Sequence, residues 1–154
     1  MPAFLVLLPK ALYGHHNIFM KTYSLQLNTD LMKCNKVLVA VLFGSSIIGA
    51  KHPGSDIDIG VVFERNSERL HDPVGVYGEL YNQFAPLARK NQKLDIVYLD
   101  EAPVSLRFKA ITEGDLIYIK DARAFCDYKE RVMREYFDFK PVMDEFTGAF
   151  LGKV

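Results

Sequence analysis

The feature that most constrains the fold is an uninterrupted apolar run, Val37–Phe43, which ends abruptly at Gly44. The run is short and rich in β-branched residues, which is typical of a strand that is buried on both faces. A strand of this kind must lie inside a sheet whose two faces are covered by other elements. The run therefore predicts a sheet with helices layered on it.

The rest of the chain alternates segments typical of strands and of helices. Three further strands are predicted at Asp56–Phe63, Lys93–Leu99 and Leu116–Ile119. Helices are predicted at Val74–Lys90, at Pro103–Thr112 with Gly114 as its C-cap, and at Ala122–Phe139, the last ending before Pro141. A short helix before residue 36 and a helical turn at Ile47–Ala50 are further expectations. The predicted fold class is α/β (α+β), a small mixed β-sheet with helices packed on it.

Length and charge narrow the functional classes. The chain has 154 residues, with 19 Lys and Arg against 19 Asp and Glu. This length favours one domain, and a net charge of zero provides no field for holding a polyanion, so direct nucleic-acid binding is not expected. No apolar run is long enough for a membrane helix. With no signal peptide recognised and two distant cysteines expected to be reduced, we predict a cytoplasmic protein without membrane association.

Polar residues at the ends of the first two predicted strands indicate a phosphate and metal site. Asp56 and Asp58 alternate with apolar residues, so both carboxylates lie on one face of their strand. Two adjacent carboxylates repel each other unless a cation lies between them, and oxygen ligands of this type suit Mg²⁺. Gly44 and Ser45, at the end of the first strand, can bring backbone N–H groups and a hydroxyl to a phosphate tail.

A third carboxylate, Asp95, lies in the predicted strand Lys93–Leu99. If that strand pairs beside the strand of Asp58, Asp95 completes a carboxylate triad, either as the base for an incoming hydroxyl or as a further metal ligand. Pairing with Lys93 at a strand edge is the alternative interpretation of Asp95.

The segment LFGSSIIGAKHPGSDIDIGVVF resembles the signature of the polymerase-β-like nucleotidyltransferase superfamily, and most closely that of its minimal nucleotidyltransferase (MNT) domains. Gly44-Ser45, ten intervening residues and Asp56-x-Asp58 match the family spacing. Ser55 before the first aspartate and Leu94-Asp95-Ile96-Val97 also match, and the resemblance extends to about Phe146. It implies an MNT domain with its C-terminal helix at 36–146, after a poorly defined extension at 1–35 and before a tail at 147–154.

The resemblance implies a Mg²⁺-dependent nucleotidyltransferase that uses one or two ions and ATP. Asp56, Asp58 and Asp95 are then the catalytic and metal-binding residues, while Gly44, Ser45 and Ser55 bind the nucleotide. In MNT proteins the acceptor is often a tyrosine of a HEPN-domain toxin, and transfer of AMP to it silences the toxin. The chain would therefore act as an antitoxin with a HEPN partner, and a homodimer is a further expectation.

One departure from the family pattern leaves alternatives open. Many members carry an arginine directly after Gly-Ser, whereas this chain has Ser46, although Lys51 could substitute for the missing charge. The second hypothesis is therefore an antitoxin with weak or no catalysis that neutralises its partner by binding alone. A small-molecule nucleotidyltransferase is less favoured because 154 residues leave little room for a second, substrate-binding domain.

Overall fold

The computed structural model describes residues 27–44, 56–65, 67 and 71–151. Strands β1 Val37–Phe43, β2 Ile57–Phe63, β3 Leu94–Tyr98 and β4 Asp115–Ile119 alternate with helices. The helices are α1 Thr29–Cys34, α2 Pro73–Phe84, α3 Val104–Glu113 and α4 Ala122–Leu151, with 3₁₀ turns at Ala85–Leu87 and Leu99–Glu101. The four strands match the predicted ones to within a residue at each end, and α1 confirms the short helix expected before residue 36. The helical turn expected at Ile47–Ala50 lies outside the described residues.

The strands form one mixed sheet in the order β3-β2-β1-β4. Strand β1 pairs antiparallel with both β2 and β4, while β2 and β3 run parallel. All seven residues of β1 are buried, as expected for a strand with neighbours on both edges and packing on both faces. The sheet and its helices confirm the predicted α+β fold class.

Each face of the sheet has its own apolar core. On one face, the odd-numbered residues of β2 and residues of β3 pack with Met32 of α1 and with Val76, Leu80 and Phe84 of α2. On the other face, β1 and Val62 of β2 pack with Ala110 and Ile111 of α3 and with Phe125, Tyr128 and Val132 of α4. Met32 is fully buried, so α1, within the segment 1–35, contributes to the core.

Two helix ends differ from the predictions, in both cases near a proline. Helix α2 ends at Phe84 rather than at Lys90, because Pro86 has no N–H to continue the hydrogen-bond ladder and the chain tightens into a 3₁₀ turn. The predicted break at Pro141 is wrong, since α4 continues through it to Leu151, beyond residue 146. Pro141 and Phe137, whose carbonyl loses its N–H partner at Pro141, are both exposed residues of α4.

Gly114 ends α3, as predicted, but in an extended conformation (φ −75°, ψ 151°) rather than a left-handed one. A Cβ atom at this position would lie 2.3 Å from the carbonyl oxygen of Ala110, so the close approach of backbone to backbone requires glycine. Cys34 and Cys126 are exposed and free, as expected for reduced thiols. Within the described part of the chain, no helix is both long and apolar enough to span a membrane.

Candidate functional site

The candidate site lies at the end of the sheet where β1 finishes and where β2 and β3 begin. Because β1 runs antiparallel to β2, its last residue, Phe43, pairs with Asp58 near the start of β2. Asp58 in turn pairs directly with Asp95 in the parallel β2–β3 ladder. Paired residues on neighbouring strands point to the same face of the sheet, so the topology brings the carboxylates of Asp58 and Asp95 side by side. The strand pairing on which the proposed grouping of Asp58 and Asp95 depended is therefore present.

Gly44 follows β1 directly and lies against Asp58. Its φ of +93° is one that L-amino acids with a side chain rarely adopt. A Cβ atom built on Gly44 would lie 2.2 Å from Oδ2 of Asp58, far inside contact distance. Glycine is therefore required at this position for two reasons. It readily adopts the positive φ of the turn, and its lack of a side chain leaves space for the carboxylate of Asp58.

Asp58 is the electrostatic centre of the site. Partial burial raises the pKa of Asp58 above its ordinary value of 3.8, and the charges of Asp95 and Asp56 raise it further. Lys109, on α3, lowers this pKa and so offsets part of the repulsion. The ionised form of Asp58 is thus poorly stabilised by the protein alone, which is the electrostatic condition under which a bound cation is favourable.

Asp56, predicted as the first residue of this strand, instead lies exposed immediately before β2, two residues from Asp58. Over the described ranges, no group of three or more His, Cys, Asp or Glu side chains has a geometry that could by itself hold a metal ion. Carboxylate oxygens without a complete protein cage fit Mg²⁺, which commonly takes one or two carboxylates and completes its shell with substrate phosphates and water.

A tyrosine that the sequence analysis did not identify contacts the site. The hydroxyl of Tyr77, on α2, donates a hydrogen bond to Oδ1 of Asp95 at 3.4 Å. Helix α2 packs on the opposite face of the sheet, and Tyr77 reaches Asp95 around the outer edge of β3, which is an edge strand. The helical spacing of α2 identified its core residues but gave no signal for this contact. Within the described residues, Asp95 forms no ion pair with Lys93, contrary to the alternative interpretation.

Of the predicted site residues, the structure brings together Gly44, Asp58 and Asp95, with Asp56 next to them in sequence. Ser45 and Ser55 lie outside the described residues, as do Ser46 and Lys51.

A model of the family described as "Polymerase beta, Nucleotidyltransferase" matches residues 26–123. This range contains every predicted site residue and elements α1 to β4. A search of curated protein sequences finds no match.

Several solved structures share the fold. A toxin–antitoxin crystal structure with AMP-PNP is 21% identical, with a TM-score of 0.54 over 77% of this chain and 94% of that chain. A toxin–antitoxin MntA–HpeT double mutant, with two aspartates two residues apart changed to glutamate, is 18% identical, with a TM-score of 0.53 over 77% and 93%. A complex of tri-AMPylated HEPN toxin with MNT antitoxin from Shewanella oneidensis is 18% identical, with a TM-score of 0.50 over 77% and 91%.

Proposed function

The chain belongs to the polymerase β nucleotidyltransferase family, and on that premise we propose that it transfers AMP from ATP to a hydroxyl group of a partner protein. The observation that carries the proposal is the direct pairing of Asp58 with Asp95, with Gly44 against Asp58, at one end of the sheet. Two neighbouring carboxylates and a backbone turn at glycine are together suited to bind a phosphate chain that carries a metal ion.

Each residue has a proposed role. Asp56, Asp58 and Asp95 would hold one or two Mg²⁺ ions, and the metal would supply neutralisation of charge on the reacting phosphates. Gly44, Ser45 and Ser55 bind the nucleotide. We also propose Asp95 as the base that accepts the proton of the attacking hydroxyl. Positioning and electrostatics supply most of the rate in such a transfer, because the protein forms no covalent bond to the phosphate.

We propose a HEPN-type toxin as the partner and a tyrosine as its acceptor residue, so that the chain acts as an antitoxin in the cytoplasm. The similar structures support this proposal, since they are toxin–antitoxin complexes, one with AMP-PNP and one with an AMPylated HEPN toxin. The two free, exposed cysteines support a reducing compartment.

The second candidate function is neutralisation of the toxin by binding alone. Ser46 favours it, because the arginine that many relatives carry at this position would help to neutralise a triphosphate. The two candidates differ in their need for the carboxylates. Binding alone tolerates neutral amides at positions 56 and 58, whereas AMP transfer does not.

The test is label transfer from α-labelled ATP and Mg²⁺ in a lysate of the native host. The Asp56→Asn/Asp58→Asn double variant is compared with Asp127→Asn, a matched change at an exposed position on α4. We expect a labelled acceptor protein with the wild-type chain and with Asp127→Asn, and none with the double variant. Absence of label with the wild-type chain, together with toxin neutralisation by the double variant, would establish binding alone.

A further inference from the structure

The Tyr77 hydroxyl contacts Asp95, the carboxylate that we propose as the base for the acceptor hydroxyl. Its oxygen lies 3.4 Å from Oδ1 of Asp95, the carboxylate placed to take a proton from the attacking group. A general base must lie within hydrogen-bond reach of the proton that it removes. The acceptor proposed on the partner is a tyrosine, and here the chain presents a tyrosine of its own to the same carboxylate.

The ring of Tyr77 is held in this position by its neighbours. It stacks on Tyr81 with a centroid distance of 6.3 Å and meets Tyr98 edge-on at 6.4 Å. The Tyr98 hydroxyl donates to the carbonyl of Pro73 at 2.9 Å, which ties the end of β3 to the start of α2. These contacts fix the helix against the edge strand and aim the Tyr77 hydroxyl at Asp95, so its orientation does not depend on a partner protein.

The contact is also open to a nucleotide. Asp95 is exposed and Tyr77 is half-buried, at the outer edge of the sheet. Asp58, beside Asp95 on the same face, is one of the proposed metal ligands. A phosphate chain bound there would therefore lie next to the Tyr77 hydroxyl.

From this arrangement we propose that Tyr77 is a self-modification site, at which the chain adenylylates its own tyrosine in the absence of its partner. The inference rests on the proposed function, because it uses the same carboxylates and the same ATP. In the step, the Tyr77 oxygen forms a bond to the α-phosphorus of ATP. The bond from that phosphorus to the bridging oxygen of the β-phosphate breaks, and pyrophosphate leaves with the electron pair. The phenol proton passes to the carboxylate of Asp95. The product is an AMP–tyrosine phosphodiester that covers Asp95 and competes with the partner's hydroxyl.

The experiment incubates the purified full-length chain with α-labelled ATP and Mg²⁺ and locates the label by peptide mass spectrometry. Wild type is compared with Tyr77→Phe, which removes only the hydroxyl, and with Tyr81→Phe, the same change on the neighbouring ring of α2. A second reaction adds host lysate, so that transfer to a separate acceptor is measured with the same protein.

We expect label on the peptide that contains Tyr77, at a first-order rate that does not change when the chain is diluted tenfold. Tyr81→Phe should retain this label and Tyr77→Phe should lose it. A labelled lysate acceptor with no label on the chain would overturn self-modification while leaving the proposed function intact. Label on the chain at another residue would overturn the assignment of Tyr77 as the modified residue. Absence of label on the chain and on every lysate protein would overturn both. A labelling rate that falls in proportion to dilution would also contradict the intramolecular step.

Discussion

Replacement of Gly44 by alanine tests the geometry of the site more sharply than removal of a carboxylate. The substitution forces a side chain onto a backbone with φ of +93° and places its Cβ 2.2 Å from Oδ2 of Asp58. The left-handed backbone costs a residue with a side chain about 1–2 kcal/mol. The clash is with the end of a flexible side chain, so Asp58 relieves it by rotating away, at the expense of its position in the site.

Two separate effects follow. The free energy of unfolding should fall by about 1–2 kcal/mol, equivalent to a loss of roughly 2–8 °C in Tm for a chain of this size. AMP transfer should fall by more than the loss of folded protein explains, because the Asp58 carboxylate is displaced. Urea denaturation and label transfer on the same preparation measure the two effects.

Gly78 provides the matched control. It lies inside α2, and a Cβ there would meet nothing within 4 Å, so Gly78→Ala should stabilise the protein by about 0.5–1 kcal/mol and leave transfer unchanged. Gly44→Asn distinguishes the cost of backbone strain at residue 44 from the effect of displacing the Asp58 carboxylate. Asparagine tolerates a left-handed backbone better than alanine does, but it carries the same Cβ atom. The Gly44→Asn variant should therefore lose less stability than Gly44→Ala but lose as much AMP-transfer activity. Gly44→Ala with wild-type stability and wild-type transfer would refute the close approach of Gly44 to Asp58.

Two further predictions concern stability. Because burial and neighbouring carboxylates raise the pKa of Asp58, its contribution to stability is fully present below pH 3.8 and is lost as the pH rises through the raised value. In the absence of metal, Asp58→Asn should therefore be more stable than wild type at pH 7, and this gain in the free energy of unfolding should shrink on acidification. A gain that urea denaturation shows to be independent of pH would contradict the raised pKa of Asp58. The buried Tyr128 hydroxyl has no hydrogen-bond partner among the described residues, so Tyr128→Phe should stabilise the protein by about 1 kcal/mol, and a lower Tm would show that the hydroxyl is satisfied.

The parts of the fold that follow from local patterns could be predicted from the sequence. The run Val37–Phe43 is strongly apolar and ends at a glycine, and its strand bounds are confirmed without change. The neighbouring positions of Asp58 and Asp95 also follow from two strand patterns and their pairing. The match of Leu94-Asp95-Ile96-Val97 to the family pattern supported the inclusion of Asp95, although Asp95 is far from Asp58 along the chain.

The features that depend on tertiary context could not be predicted in the same way. Pro141 ordinarily interrupts a helix, but here the helix position is exposed and the interruption is tolerated. The contact between Tyr77 and Asp95 joins residues on opposite faces of the sheet around an edge strand, and no periodicity encodes such a contact. The extended conformation of Gly114 reflects a close approach to the Ala110 carbonyl that a helix-end pattern does not specify.

The most direct test of the central claim is the intact mass of the acceptor protein after incubation with the purified chain, ATP and Mg²⁺. The acceptor is the protein identified by label transfer, and the compared chains are wild type, Asp58→Asn and Asp127→Asn. The account predicts that the acceptor gains the mass of one or more adenylates with wild type and Asp127→Asn and gains none with Asp58→Asn. Equal mass gain with Asp58→Asn would contradict the assignment of catalysis to the carboxylates at the end of the sheet.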